Sequence, residues 1–183
     1  AQTLQVERVS VWLYTEDKSA IECIDLYELS ANRHSKGATL RIEEAPGYFQ
    51  ALADERVIAA SNVFEDPRTA QFSRTEPSLR GTVSMLDASV RLEGELIGVV
   101  CHEHIGEHRE WGHEDMNFAS SLANLVSLAR EAANKRRAEE EREKSESRYR
   151  NLFEGSPIAL LLEDCTQTKI LLEQIAATGV EDM

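Results

Sequence analysis

Residues 83–92 and 95–104 are two strand-like runs separated only by Glu93-Gly94. A short connection containing glycine is the signature of a tight hairpin, because glycine supplies the positive φ that the turn requires. These twenty or so residues therefore commit the chain to an antiparallel sheet. Gly98, inside the second run, predicts a place where two backbones approach closely.

The rest of the N-terminal two thirds must be compatible with that hairpin. Residues 6–14 alternate, with Val9, Val11 and Leu13 on one side and Trp12 and Tyr14 on the other, which predicts a strand. Thr15-Glu16-Asp17-Lys18 is a polar turn, and residues 20–27 form its return strand. A short strand is expected over 40–42, ending at Glu43-Glu44. Pro46 then sits as an early helical residue, ahead of one apolar stripe made by Tyr48, Phe49 and Leu52. Residues 57–60 predict another short strand. Residues 61–81 hold two prolines and little periodicity, so they read as a long irregular loop, with at most one helical turn around 70–72.

From His113 the pattern becomes helical and meets no Gly or Pro through Arg150. That length predicts one helix roughly 55 Å long at about 1.5 Å per residue. Phe118, Leu122, Leu125, Ala129 and Ala132 recur at spacings of four and three, the seam of a helix that packs on a partner. Val126 and Leu128 widen the stripe, so the first half is expected to pack on its own domain as well. Beyond Ala133 the apolar positions nearly vanish, while Glu140 with Lys144 and Glu146 with Arg150 form i,i+4 pairs in the favourable order. The helix is expected to break at Leu152-Phe153-Glu154-Gly155-Ser156-Pro157, before a short apolar strand over 158–162 and a helical patch over 169–177.

Composition narrows the function classes. The net charge is −13, so non-specific binding to nucleic acid or an anionic membrane is disfavoured. The basic run Lys135-Arg136-Arg137 is followed at once by Glu139-Glu140-Glu141 and reads as a solvated helix face. Three cysteines, Cys23, Cys101 and Cys165, are widely spaced with no CxxC, which fits a reduced, cytoplasmic setting better than a disulfide framework. No apolar stretch is long enough to span a bilayer. Both ends of the sequence read as cut from a longer protein.

Two passages resemble known families. Gly94-Glu95-Leu96-Ile97-Gly98-Val99-Val100-Cys101-His102-Glu103-His104, followed by Arg109-Glu110-Trp111 and Glu114-Asp115, resembles the last hairpin and final helix of GAF domains. The order of elements over about residues 4–133 is similar too. The second passage is Glu146-Ser147-Arg148-Tyr149-Arg150-Asn151-Leu152-Phe153-Glu154-Gly155-Ser156-Pro157, which resembles the entry of PAS domains. Further along, Glu163-Asp164-Cys165-Thr166 leads into a helical segment and departs from an ordinary PAS sequence. The resemblance implies a GAF domain over residues 1–133, a charged helical linker over 134–150 and the N-terminal fragment of a PAS domain over 151–183. That layout, common in sensor histidine kinases and diguanylate cyclases, implies a cytoplasmic input module acting on an output domain in the same chain. The sequence carries no output-enzyme motif, and no catalytic residues are expected in it.

Each chemistry-bearing residue also has a plainer role open to it. Bilin-attaching GAF domains carry Cys-His ahead of the final hairpin, whereas Cys101-His102 lies inside the last strand, so Cys101 is expected to be a core cysteine. His102 and His104 share a strand face by period two and are expected to be plain polar groups at a strand's end. No further ligands stand at metal-binding spacing, so no metal is expected. Asn62-Val63-Phe64-Glu65-Asp66 matches the cyclic-nucleotide signature of phosphodiesterase GAF domains too poorly to carry it over. A methionine sulfoxide reductase of the GAF type needs grouped cysteines, which Cys23 and Cys101 can supply only from neighbouring strands.

The expected architecture is α+β: an antiparallel sheet of about six strands with flanking helices, a long C-terminal linker helix and a truncated PAS fragment. A small-molecule pocket is expected against one sheet face, walled by Tyr48, Phe49, Ser61, Asp66, Arg68, Phe72, Arg80 and Met85. Arg68 or Arg80 would grip an anionic ligand there. The alternative is that the arginines pair with loop acids and the aromatics fill a core. No cofactor is expected. The expected partners are an unknown small molecule, a second copy of the chain joined through the helix, and the output domain, with neither nucleic acid nor membrane. A ligand-free dimerisation and relay module and a redox enzyme stand as alternatives.

Overall fold

A computed structural model of the chain describes residues 1–70 and 81–154. These residues form a seven-stranded sheet: β1 (Arg8–Tyr14), β2 (Ala20–Glu28), β3 (Arg33–Ser35), β4 (Thr39–Arg41), β5 (Val57–Ala60), β6 (Thr82–Leu92) and β7 (Glu95–Ile105). The order is β3-β2-β1-β7-β6-β5, with β4 also paired to β2, and every pairing is antiparallel. The fold class is the expected α+β, with one more strand than expected. The additional strand, Arg33–Ser35, is fully exposed and polar, so it carries no apolar alternation by which a sequence announces a strand. The short strand expected over 40–42 lies one residue earlier, because Ile42–Glu44 turns into a 3-10 helix.

The hairpin is as expected. Leu92 faces Glu95, and the two residues between them, Glu93 and Gly94, have φ of 52° and 87°. Positive φ at both central positions is the geometry that matches the right-handed strand twist. Gly98 faces Leu13 on β1, and a Cβ there would stand 2.1 Å from the Trp12 carbonyl oxygen. Only a residue without a side chain lets β7 lie beside β1 at that point.

Alternation along β1 delivers apolar residues to both faces, so the sheet needs a cover on each. Helix α1 (Pro46–Asp54) covers one, burying Tyr48, Phe49, Ala51 and Leu52 with Trp12, Ile21, Cys23, Ile58, Met85, Val99 and Cys101. The opposite face packs Val9, Val11, Leu86, Ala88, Val90 and Val100 against Leu4, Val6, Trp111 and the start of helix α2 (His113–Glu154). On α2 the row that meets the sheet is Met116, Ala119, Ala123 and Val126. Alanines at its centre let the helix axis come close to the strands.

The expected seam is a different row. Phe118 is half-buried against the same core and Leu122 is half-buried, whereas Leu125, Ala129 and Ala132 are exposed. Leu128 does not join the sheet contact and is 60% exposed, as is Leu125. The helix continues to Glu154, within the stretch 152–157 over which its break is expected. Glu146 pairs with Arg150 at 3.8 Å, while Arg142 takes Glu139 and Glu146. The PAS-like segment past Glu154 lies outside the described residues, as does Cys165. Contacts divide the chain into Ala1–Lys135 and Arg136–Met183.

Candidate functional site

The α1-facing side of the central strands carries a group of polar side chains buried among apolar ones. Asp87, in the middle of β6, points to this face because it is two residues from the core residue Met85 and lies opposite Cys101 on β7. Its carboxylate is fully buried. The Tyr48 hydroxyl, from the first turn of α1, donates to Asp87 Oδ2 at 2.5 Å and lies 3.9 Å from Cys101 Sγ. Asp87 Oδ1 has no hydrogen-bond partner among the described residues. Further along the ladder, Arg8 Nη2 meets Glu103 Oε2 at 2.8 Å, and Thr82 Oγ1 links the two by accepting from Arg8 and donating to Glu103 at 2.9 Å. Ser10, between Arg8 and Trp12, accepts from the Trp12 indole at 2.8 Å.

Burial sets the protonation of these groups. Desolvation first, and the Glu103 charge in addition, push the Asp87 carboxyl up to about 7, against the opposing hydrogen bond from Tyr48. Desolvation and the neighbouring Asp87 charge drive the Tyr48 hydroxyl and the Cys101 thiol well above their ordinary values. Cys101 is thus held as a thiol, not a reactive thiolate. Near neutral pH this face holds one carboxyl poised between its two forms, with an unspent oxygen, a tyrosine hydroxyl and a thiol beside it. Such a set can recognise a small molecule through hydrogen bonds within an otherwise apolar wall.

The residues expected from sequence divide into three groups. Tyr48, Phe49 and Met85 come together in the α1-side core, with Phe49 tilted against Tyr14 and edge-on to Tyr48 at 5.7 Å. Ser61 stands just past the end of β5, where its hydroxyl donates to Glu110 at 3.0 Å. Asp66 and Arg68 form their own loop cluster: Arg68 grips Asp66 with Nε and Nη2, Glu55 with Nη1, and also donates to the Ala59 carbonyl. Arg68 thus takes the alternative arrangement, in which the arginine pairs with loop acids. Its fork is spent on Asp66, two residues away, and both the carboxylate and the guanidinium are stabilised in their charged forms. Phe72 and Arg80 lie outside the described residues.

Sequence patterns did not single out Asp87, Glu103, Arg8 or Thr82. The available signal was an acid inside an apolar run, Met85-Leu86-Asp87-Ala88, where a strand buried on both faces has no solvent to offer it. Cys101 is a buried core cysteine, as expected. His102 corrects the view that histidines at the end of this strand are plain polar groups. It is buried on the α2 side, with Nδ1 2.9 Å from the Leu86 carbonyl oxygen, and desolvation lowers it to about 4, so it is neutral. Among the described residues no cluster of metal-ligating side chains occurs. Cys23 and Cys101 sit on β2 and β7 with β1 between them, two strand spacings or about 10 Å apart. They do not form the neighbouring pair that sulfoxide chemistry requires.

The loop into α2 explains the Arg-x-Trp pattern physically. Arg109 stacks on Trp111 at 4.6 Å, pairs with Asp115 and donates to the Leu4 carbonyl, while the Trp111 indole donates to the Ala60 carbonyl. The Gly112 amide donates to Asp115 Oδ2 at 3.1 Å, so an acid in the first turn both caps the helix and favours its dipole. This loop thereby ties β5, the N-terminal segment and α2 together.

A family model described as GAF domain matches residues 1–129. Among solved structures, the GAF domain of PixJ from Thermosynechococcus elongatus, in its blue-light absorbing form, aligns with a TM-score of 0.60 at 17% identity, covering 75% of this chain and 81% of that one. The GAF domain of a phosphoenolpyruvate-protein phosphotransferase from Coxiella burnetii gives 0.60 at 16% identity, covering 75% and 79%. That of a two-component sensor histidine kinase from Bacillus halodurans gives 0.54 at 16% identity, covering 71% and 84%. No curated protein matches the chain. At these identities the structural likeness concerns the fold.

Proposed function

The chain belongs to the GAF domain family, and from that premise we propose that it is the sensory input module of a larger cytoplasmic signalling protein. Its sheet face would hold a small molecule, and α2, paired with the α2 of a second copy, would pass the state of the domain to an attached output domain. The observation that carries this reading is the division of α2 into two apolar rows. Ala119 and Ala123 are spent on the domain's own sheet, while Leu125, Leu128, Ala129 and Ala132 are exposed. A helix that both touches the sheet and offers an apolar row to a partner couples the two mechanically, and the charged stretch beyond Ala133 makes a pairing with a low cost of rotation or splay. The output domain would follow in the same chain, and the PAS-like segment after Glu154 would be the next module in the same relay.

The ligand would lie against Tyr48, Asp87 and Cys101, at the position of the orphan carboxylate oxygen. A ligand-free relay is the second reading, favoured by the close packing of Tyr48, Phe49 and Met85 and by the engagement of Arg68 with Asp66 and Glu55. Native mass spectrometry of the protein as purified separates them. A dimer with a discrete extra mass supports the sensor, and a dimer at bare sequence mass supports the relay. A monomer in both the native protein and the Leu125→Ser/Leu128→Ser variant would defeat the dimeric reading.

A further inference from the structure

β6 outruns its neighbour. Val57, the first residue of β5, faces Ala88, so β5 does not extend beside the β6 edge from Ser89 to Leu92. Edge backbone of this kind must be satisfied some other way. The Ser89 amide donates to the Arg56 carbonyl, and the Arg91 carbonyl accepts from the Ser127 hydroxyl of α2 at 2.6 Å. Ser127 is one of a polar row on α2, with Asn124 and Ser120 three and seven residues before it, beside the alanine row that meets the sheet.

Between that polar row and the β6 edge lies a small, largely enclosed pocket of about 70 Å³, lined by Arg56, Ser89, Arg91, Ser120 and Asn124. Among the described residues no carboxylate lines it, although the chain as a whole carries a charge of −13. Arg91 is anchored by neutral acceptors alone: its Nη2 donates to the last carbonyls of α1, Leu52 at 3.0 Å and Ala53 at 2.5 Å, its Nη1 to the Gly94 carbonyl at 3.4 Å and its Nε to Ser89 Oγ. Its position is fixed while its charge is uncancelled. The acids just before Arg56 are engaged elsewhere, Asp54 with Gln50 and Glu55 with Arg68. The Arg56 guanidinium makes no hydrogen bond or ion pair among the described residues.

From this arrangement we propose that the pocket is a binding site for a single tetrahedral oxyanion, a phosphate or phosphoryl group, held by Arg56 with Arg91, Ser120 and Asn124. The Arg56 guanidinium, the Ser120 hydroxyl and the Asn124 amide offer donors, free among the described residues, from the end of the loop before β5 and from the helix, so donors converge from more than one plane. Arg91 adds its charge, while its own donors and the Ser89 hydroxyl are engaged by neutral acceptors. The volume is far below the ~300–1,000 Å³ of pockets for drug-sized ligands, so a whole nucleotide does not fit inside. The ion would bridge β6 and α2, and its binding would therefore bear on the same helix that leaves the domain.

The test is a titration of the full chain with inorganic phosphate, followed by phosphorus NMR line width and by calorimetry, with chloride at matched ionic strength as reference. Saturable binding in the millimolar range is expected, weakened at least tenfold in Arg56→Ala and in Asn124→Ala. Both positions are exposed, so thermal unfolding in phosphate-free buffer should be unchanged, which separates lost binding from lost fold. Displacement by a phosphomonoester at lower concentration than by phosphate identifies a phosphoryl group on a larger molecule as the source; equal or poorer displacement identifies the free ion. Absence of saturable binding, or full binding in Arg56→Ala, overturns the assignment.

Discussion

On the face covered by α1, the central strands bury Asp87, Cys101, Glu103 and Arg8 among their apolar side chains; on the face covered by α2, Leu86, Ala88, Val90 and Val100 are joined by the His102 ring and by Ser84, whose hydroxyl is spent on the Ser61 carbonyl and the Arg109 amide. The same strands build both faces, and adjacent residues such as Leu86 and Asp87, or Cys101 and His102, go to opposite sides. The α2 face is made to hold a helix: small alanines meet branched side chains, and the single polar ring satisfies one nitrogen at a backbone carbonyl. The α1 face instead keeps a carboxyl poised between its two forms, while each face leaves one buried polar atom without a partner among the described residues, Asp87 Oδ1 on this side and His102 Nε2 on the other. One side of the sheet is thus suited to chemistry and the other to mechanical contact, and a strand's period of two lets one stretch of chain serve both.

Emptying the mechanical side tests this contrast most severely. Leu86 is fully buried under α2, so Leu86→Ala should cost about 3–5 kcal/mol in urea unfolding, from lost burial together with the cavity left behind. A cost below about 1 kcal/mol would show that α2 is not packed tightly on the sheet.

Asp87→Asn should act in the opposite direction. In the unfolded chain this carboxyl ionises near 4, while in the fold it holds its proton up to about 7. Folding therefore binds a proton between those values, and the stability of the native protein falls as pH rises through that window, with the full penalty reached above it. The asparagine variant, which cannot ionise, should be more stable at pH 8 by on the order of 2–4 kcal/mol and little changed near pH 4. Parallel stability profiles for the two proteins would mean that Asp87 is not desolvated in the fold.

His102→Leu should give the mirror result at smaller size. The folded imidazole is neutral down to about 4, whereas the unfolded one takes a proton below about 6.5. Stability from this group is present above the unfolded value and is lost as pH falls through the folded one. The variant should flatten the acid limb by on the order of 1–3 kcal/mol between those pH values, set against the lost bond to the Leu86 carbonyl. In the native protein the Asp87 and His102 slopes oppose one another over most of the same window, so each is best measured with the other removed. An acid limb unchanged in His102→Leu would mean that the ring is hydrated in the fold.

How much of this was legible in the sequence depended on whether the signal was local. The hairpin was, since Glu93-Gly94 between two alternating runs carries its own geometry. So was α1, with Pro46 at its start and Tyr48, Phe49 and Leu52 on one stripe. The exposed strand at residues 33–35 was not, because pairing to β2 rather than side-chain pattern makes it a strand. The placement of the expected wall residues was legible in part. Of the residues expected as a pocket wall, Tyr48, Phe49 and Met85 do lie together, in the α1-side core, whereas Arg68 pairs with loop acids, the alternative weighed for it. An arginine in a loop looks available to a ligand until the distances show Asp66 and Glu55 on its fork.

On α2 the two rows interleave, and periodicity favoured the larger side chains of 118, 122 and 125 as the seam to a partner, with Val126 and Leu128 widening the stripe toward the domain's own sheet. The sheet takes the alanines at 119 and 123, flanked by Met116, Phe118 and Val126, and the small residues at the centre let the helix come close. Local pattern was enough for most of the elements, for the antiparallel hairpin and for the family resemblance, all of which depend on residues within a few positions of each other. Strand order and register alone put Asp87 on one face with Tyr48 and Cys101, hold Cys23 away from Cys101 across β1, and bring Arg56 to Ser120 and Asn124. Those contacts join residues dozens of positions apart, and a one-residue change of register would send each of these strand side chains to the other face.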